Sequence, residues 1–274
     1  MFRADLHTHT IYSDGTCTPE ELVRKAKETG LSGLSITDHD TIAAYQTAIP
    51  VAKDLGVRLG SGAEFSCVFE TTNVHILAYD FELASRDLNN FCQRHQQRRL
   101  ERNRIIVDKL ARLGMPIPFE ELANAIGSIG RPHIAQKMVA KGYVKSVQEA
   151  FNVYIGDDKP CYHPGESFGV EETIAIIHLA KGKAFLAHPH LIKHGQKVKR
   201  LLQLPFDGIE CHYAKFTADK EKRWIKMAGE KGLMMSGGSD FHGSIKDFIS
   251  LGCSWVTEEV FNQIFQKPLE LFHN

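Results

Sequence analysis

The sequence predicts an α/β fold: repeated strand–helix units forming one parallel sheet, open or closed, with a helical block set into it. Three observations predict this. Short apolar runs alternate with helical patterns toward both ends of the chain, the sequence mark of βα units. The stretch from about residue 85 to 159 carries helical patterns only. Clusters of His, Asp and Glu fall almost entirely just after the apolar runs, where barrels and doubly wound sheets build their sites.

The elements follow in order. Phe2 to Leu6 reads as a strand. Thr18-Pro19-Glu20-Glu21 reads as a helix start, with Thr18 as cap, Pro19 at the first helical position and Glu21 completing a capping box. Leu22, Val23 and Ala26 give that helix its apolar face, and Gly30 stops it. Leu31 to Ile36 is the next strand, followed by a helix from about Ile42 to Leu55 in which Pro50 predicts a kink or break. Val57 to Phe65 and Val74 to Tyr79 are further strands. From Ser85 to Gly114 the pattern is one long polar helix, and three short helices follow through Ile155. After Gly165 the alternation resumes: helix Val170 to Lys181, strand Ala184 to Ala187, a helix near Val198 to Leu202, strand Gly208 to Cys211, helix Thr217 to Lys231, strand Leu233 to Ser236, and a last strand, Cys253 to Val256, before a C-terminal helix. This gives about seven core strands, one short of the usual eight-stranded barrel. The expected division is a barrel of residues 1–84 and 160–274 with a helical insertion at 85–159.

Composition narrows the function. With 274 residues the chain can bury a sizeable core. A net charge of zero gives no bulk field toward nucleic acid or membrane, so any anion binding must be local. No apolar run is long enough to span a bilayer, and the N-terminus lacks a signal-peptide core, so a cytoplasmic location is expected. The six cysteines form no CxxC pair and read as free thiols.

Histidine is the informative residue. There are 14, many beside Asp or another His. Asp5-Leu6-His7-Thr8-His9 and Ser13-Asp14-Gly15 follow the first strand, Thr37-Asp38-His39-Asp40 the second, and Gly62-Ala63-Glu64 the third. His75 lies on the next, followed later by His188-Pro189-His190, Glu210-Cys211-His212 and Ser239-Asp240-Phe241-His242. On an extended strand, residues two apart share a face, so His7 and His9 can bind one ion, and Asp240 and His242 can serve neighbouring ions. Glu64 can bridge two ions with its two oxygens. Nitrogen and oxygen donors without thiolate favour Mn²⁺, Zn²⁺ or Fe²⁺. Closely spaced ions can bind a phosphate, generate hydroxide at neutral pH and stabilise a leaving oxygen.

Taken together these motifs resemble the PHP (polymerase and histidinol phosphatase) family over essentially the whole chain. Within it they look most like the branch holding TrpH-like proteins, 3′,5′-nucleoside bisphosphate phosphatases and a 5′→3′ exoribonuclease, with Gly130-Arg131-Pro132-His133 and Tyr162-His163-Pro164 as further marks. The resemblance implies a distorted seven-stranded, TIM-like β/α barrel and a trinuclear centre of divalent ions, with Mn²⁺ expected and Fe²⁺ or Zn²⁺ as alternatives. It implies His7, His9, Glu64 and Asp240 around one ion, Glu64, His75 and His188 around a second, and Asp14, His39 and His242 around the third. Asp240, His188 and His242 are expected to be indispensable to catalysis. Arg131 and His133, at a predicted helix start, are expected to bind phosphate, although a surface salt bridge is the plainer role for Arg131. Lys159 and Tyr162 are candidates for the same mouth, and His212 for a substrate contact. The run Arg94, Arg98, Arg99, Arg102 and Arg104 reads as a solvated helix face rather than a nucleic-acid track, since no aromatics interleave with it.

The expected activity is phosphate monoester hydrolysis on a small nucleotide, above all removal of the 3′-phosphate from a nucleoside 3′,5′-bisphosphate. Cleavage of short RNA from its 5′ end is the first alternative, histidinol phosphate hydrolysis the second, and a non-catalytic, metal-stabilised binding module the third. Neither membrane nor duplex nucleic acid is an expected partner.

Overall fold

The computed structural model describes residues 1–123, 127–193, 195–214, 216–266 and 269. Among them eight strands form two sheets. In the first, β1 (Ala4–Asp5), β2 (Gly33–Ser35) and β3 (Arg58–Gly60) pair in parallel and in chain order. In the second, β4 (Gly62–Phe69), β5 (Thr72–Tyr79), β6 (Lys183–Leu186), β7 (Gly208–Tyr213) and β8 (Met234–Gly238) follow one another. Backbone contacts tie the two sheets together. Single bridges join Thr8 to Phe241 and His39 to Glu64, and Leu6 N–H donates to the Gly237 carbonyl.

The α/β class is as expected; the strands form sheets of three and five, not clearly the expected distorted seven-strand barrel. The run Val57 to Phe65 divides at Ser61, its first half pairing with β2 and its second with β5. β5 runs antiparallel to both neighbours, whereas β7 and β8 are parallel to β6. The physical reason is the connection: only Glu70 and Thr71 separate β4 from β5, and Glu70 takes a φ of 55°. A two-residue link can close only an antiparallel hairpin. Cys253 to Val256 is not a strand either; only Val256 pairs, in a single bridge to Ala4.

The flanking helices in the first part are α1 (Pro19–Glu28) and α2 (Tyr45–Leu55). The Thr18–Glu21 capping box forms in both directions, at 3.2 and 2.9 Å. α2 continues through Pro50 rather than ending there, and the helix buries Tyr45, Ala48, Ile49 and Ala52 on both sides of the proline. Between β5 and β6 come α3 (Arg86–Arg112), α4 (Glu120–Ala123), α5 (Arg131–Ala140), α6 (Val147–Ala150) and a π-helical turn, Phe151–Ile155. These helices share a core of their own, built on Ile106, Leu110, Met115, Ile134 and Met138. α7 (Val170–Leu179), α8 (Gly195–Leu201), α9 (Ala218–Lys231) and α10 (Glu258–Ile264) complete the chain. Leu6, Leu77, Tyr79 and Phe185 form an inner cluster that α10 covers with Phe261 and Ile264. Burying such large side chains contributes roughly 1.5–3 kcal/mol each, so the end of the sheets away from the polar clusters is a packed floor.

All six cysteines are free, and Cys67, Cys92, Cys161 and Cys211 are buried. Among the described residues no helix is long and apolar enough to cross a membrane.

Candidate metal centre and adjoining cavity

Seven side chains beyond strand ends, with Glu64 on β4 and His75 on β5, make a group of nine. Glu64 stands at the centre. Its Oε2 lies 3.1 Å from His7 Nε2, 3.2 Å from His9 Nε2 and 3.4 Å from His39 Nδ1. Its Oε1 lies 2.6 Å from His75 Nδ1 and 2.8 Å from His188 Nε2. Asp240 Oδ1 lies 3.2 Å from His9 Nε2 and 3.5 Å from His7 Nε2. Asp14 faces His242 Nε2 at 3.3 Å and His39 Nε2 at 3.8 Å. Donor atoms lie within 4.8 Å of one another in three groups: His7, His9, Glu64 and Asp240; His9, Asp14, His39 and His242; and His39, Glu64 and His75. His9 and His39 thus each stand in two groups, where the family resemblance implies one ion for each. His188 adjoins the third group through Glu64.

The donor chemistry fits divalent cations. His9 Nε2, His39 Nδ1 and Asp14 Oδ1 are buried with no hydrogen-bond partner. Orphaned buried polar atoms are costly, and here their atoms converge on one another. Electrostatics agrees. Burial alone would raise the carboxyl groups of Glu64, Asp14 and Asp240, yet the groups beside them hold all three well below the usual carboxylate range: His39 and His75 for Glu64, His242 and His39 for Asp14, Lys246 and His242 for Asp240. Burial opposes charge on His9, but Asp240 and Glu64 outweigh it and push the imidazole up to about 9. His39 goes the other way, down to about 3, because burial prevails over Glu64 and Asp14. In such a compact set of anions and histidines, a bound cation would take the place of protons.

The backbone contributes by close approach and strain. A Cβ on Gly238 would sit 2.5 Å from His7 Cβ, so β8 packs this close to β1 only through glycine. His188, Asp240 and Asp40 take φ values of 24°, 57° and 58°. Left-handed backbone is uncommon outside glycine and concentrates at functional sites.

A second ring of residues, unmarked as functional in the sequence, fixes the first. Glu210 Oε1 meets His7 Nδ1 at 2.7 Å, and its Oε2 accepts from His188 N–H at 2.7 Å. His242 Nδ1 meets the Asp240 carbonyl at 2.8 Å, leaving Nε2 toward Asp14. Asp240 Oδ2 accepts from Tyr213 Oη at 2.6 Å and Lys246 Nζ at 2.7 Å. Asp38 accepts from the Thr10 amide, the Thr10 hydroxyl and the Ser13 hydroxyl, bracing the loop that carries His9 and Asp14. Such partners select the tautomer and orientation of liganding imidazoles. The signal for Glu210 was its strand-end position, shared with the ligand candidates.

Beside the cluster opens a cavity of about 200 Å³ lined by Asp14, His39 and His75 together with Arg98, Arg99, Arg102 and Arg131. Tyr162 also lines it, with its ring 5.3 Å from the Arg131 guanidinium. Arg131 begins α5 as the spacing predicts, and it does form the surface salt bridge, to Asp157 at 2.7 Å. His133 turns back on its own helix start: its Nδ1 accepts from Gly130 N–H at 3.0 Å, and burial pulls its pKa down. Lys159 and His212 do not line this cavity. Lys159 is exposed after the Gly156–Lys159 turn. The register shift between Glu210 and His212 turns His212 to Glu221 on α9, 3.4 Å away.

The arginine run requires the largest correction. Arg94 and Arg104 are exposed, Arg94 pairing with Glu172. Arg98, Arg99 and Arg102 are only 5%, 6% and 8% exposed. Arg98 and Arg99 converge on Asp40, which is fully buried and held well below the usual carboxylate range, Arg99 foremost against its burial. The missed signal was periodic: with Phe91, His95, Ile106 and Leu110, these arginines continue the buried stripe of α3.

Comparisons with known proteins point the same way. The family model described as the PHP domain matches residues 5–157. A 5′-3′ exoribonuclease Rnm of Salmonella typhimurium is 33% identical, the match spanning 92% of this chain and 86% of the relative. A 3′,5′-nucleoside bisphosphate phosphatase of Chromobacterium violaceum is 30% identical, with 88% of each chain matched. The solved structure of an amidohydrolase from Chromobacterium violaceum, with bound sulfate and no metal, superposes with a TM-score of 0.84 at 28% identity, covering 94% of this chain and 92% of that one.

Proposed function

The chain belongs to the PHP domain family and is a metal-dependent phosphoesterase, and from that premise we propose that it hydrolyses a phosphate monoester of a small nucleotide, removing the 3′-phosphate of a nucleoside 3′,5′-bisphosphate. The observation that carries this reading is the cavity shared by the donor cluster and four arginines. A phosphorylated molecule there would meet liganding side chains and guanidinium groups at once. The relative named for this activity supports the substrate choice.

On this reading three divalent ions would be held, one by His7, His9, Glu64 and Asp240, one by Glu64, His75 and His188, and one by Asp14, His39 and His242. Bound divalent ions supply positive charge for the phosphoryl oxygens and a more acidic water. The chain's own residues do the rest. Glu210 keeps His7 and the His188 loop in place, and Tyr213 and Lys246 direct Asp240 toward the cluster. Arg131 and Tyr162 border the space for a phosphate and its sugar, and His133 caps the start of α5 by accepting from Gly130 N–H. The distorted barrel, with residues 85–159 as an insertion over its rim, is the architecture this reading assigns.

Cleavage of short RNA is the second reading, favoured by the exoribonuclease relative at 33% identity. The test is phosphate release from a panel of nucleoside mono- and bisphosphates, with Mn²⁺ added, beside a 5′-phosphorylated oligoribonucleotide resolved by length. Orthophosphate from the bisphosphate is the expected result. A ladder of shortened RNA without orthophosphate release would move the assignment to the nuclease, and no product from any substrate would overturn both.

A further inference from the structure

We propose that Asp40 is a positioning residue for the donor cluster: through it the long helix α3 fixes the place of His39, and with it the affinity of the cluster for divalent ions. The inference rests on the reading of His39 as a metal ligand and adds to it the residue that holds His39 there.

The starting point is what holds each imidazole. His7 Nδ1 meets Glu210, His242 Nδ1 meets the Asp240 carbonyl, and His75 Nδ1 and His188 Nε2 meet Glu64 Oε1. His39 differs. Its Nδ1 is buried with no hydrogen-bond partner, and its Nε2 faces Asp14 at 3.8 Å, beyond hydrogen-bond reach. Both ring nitrogens thus face other donors of the cluster, and among the described residues no group behind the ring orients it. Yet His39 stands in two of the three donor groups. Its placement must come from the backbone.

Asp40 holds that backbone. A single bridge pairs His39 with Glu64, and Asp40 N–H donates to the Glu64 carbonyl at 3.0 Å. Asp40 makes this turn with a φ of 58°, a conformation that a residue other than glycine keeps where its surroundings over-determine it. Its carboxylate provides that constraint. Oδ1 accepts from Ser66 N–H, just past Glu64 on β4, at 2.7 Å. Oδ2 accepts from Arg99 Nε at 2.6 Å and from Arg98 Nη2 at 3.3 Å. Arg99 Nη2 also donates to Ser66 Oγ at 3.0 Å. His95 Nδ1 lies 3.2 Å from Oδ1, and its ring stacks on Phe168. His95, Arg98 and Arg99 follow the i, i+3, i+4 spacing, so one face of α3 closes on a single, fully buried carboxylate. The grip of α3 and the position of His39 therefore share one residue. Loosening α3 frees the Asp40 turn, and an ion that fixes His39 secures α3 in return, since coupling between two sites is reciprocal.

The test measures metal binding rather than turnover, because Arg98 and Arg99 also line the cavity. Metal-free wild type, Asp40→Asn, Arg99→Gln, Arg99→Lys and, as a control on the exposed side of α3, Arg104→Gln are titrated with Mn²⁺ by calorimetry. Groups that support a ligand carry about 10- to 100-fold in metal affinity. Asp40→Asn is expected to lose within that range and Arg99→Gln about 10-fold, with Arg99→Lys between Arg99→Gln and wild type and Arg104→Gln like wild type. Should Asp40→Asn fail to fold, Arg99→Gln decides, because Asp40 keeps Arg98 there. The Arg99→Gln comparison is repeated in a His39→Ala background, which retains the group of His7, His9, Glu64 and Asp240. There it should cost no further affinity, because effects exerted through one residue do not add. Hydrogen exchange supplies the reciprocal readout: Mn²⁺ should slow exchange along α3 in wild type and do so less in Arg99→Gln. Wild-type Mn²⁺ affinity in folded Arg99→Gln, or an equal loss with and without His39, would overturn the positioning role and leave the Asp40 network purely structural. Wild-type affinity in His39→Ala would remove the ligand reading and the proposal with it. If affinity depends on Arg99 as expected but no phosphate ester is hydrolysed, the positioning role stands and the proposed substrate falls.

Discussion

Replacing Glu210 by Gln tests how far the donor cluster depends on a carboxylate behind it. Glu210 is fully buried, meets His7 Nδ1 at 2.7 Å and accepts from His188 N–H at 2.7 Å. Glutamine keeps the volume but offers one oxygen and one amide. With its oxygen toward His188, its NH₂ faces His7 Nδ1, which must then carry a lone pair. The imidazole proton moves to Nε2, the nitrogen 3.1 Å from Glu64 Oε2, and removes the lone pair a cation needs. With the amide reversed, two buried N–H groups confront each other, at about 1–3 kcal/mol. Either arrangement weakens the cluster by the amount typical of such supporting partners, roughly 10- to 100-fold in metal affinity, or about 1.4–2.8 kcal/mol. Calorimetric titration of the metal-free proteins with Mn²⁺ measures this directly. Unchanged affinity in a variant with the wild-type melting temperature would refute the claim that Glu210 sets the state of His7.

Four other outcomes are expected. Asp240→Asn, chosen because Asn tolerates the φ of 57° at this position, should lose nearly all turnover while circular dichroism stays that of wild type; retained turnover would remove Asp240 from the centre. Arg131→Ala should raise KM about 10- to 100-fold with little change in kcat, the signature of lost ground-state binding; wild-type kinetics would end its assigned role. Metal uptake should release protons, because His9, pushed up to about 9, is protonated at neutral pH in the metal-free protein. Mn²⁺ affinity should therefore climb between about pH 6 and 9, and calorimetry in buffers of different ionisation enthalpy should count the protons; pH-independent binding would contradict this. Asp40→Asn strands Arg98 and Arg99 and should cost about 3–5 kcal/mol in denaturant unfolding. Asp40's folded pKa is depressed, so its contribution is present above the unfolded value of about 3.9 and is lost as pH falls through the lower folded value. Wild type should accordingly lose stability in acid more steeply than Asp40→Asn.

The donor cluster was legible because each candidate stands within or a few residues from an apolar run; parallel strands deliver most of them to one rim, and the β4–β5 hairpin adds Glu64 and His75. The Thr18–Glu21 cap was legible because it is local chemistry. What escaped the sequence depends on partners remote in the chain. Ser61 lies inside one continuous apolar run, yet there the strand exchanges β2 for β5 as its neighbour. The arginines of α3 looked solvated until Asp40, some 58 residues away, was seen to receive them. Lys159 and His212 had suitable chemistry, but a turn and a β-bulge direct them elsewhere. Glu210 had a suitable position, and only its contact with His7 distinguishes it from any buried acid.

The distance along the chain between β1 and its partners bears on how the protein is made. His7 is made 203 positions before Glu210, and Asp240 comes later still. Until the last βα unit has emerged, the earliest histidines have no carboxylate from that half of the chain. On the proposed assignment, the group of His7, His9, Glu64 and Asp240 is therefore complete only once β8 has been made, and a chain truncated before β8 would lack Asp240 and His242. Long-range closure of this kind also slows folding, so the rate at which newly made protein takes up a divalent ion should follow completion of its fold.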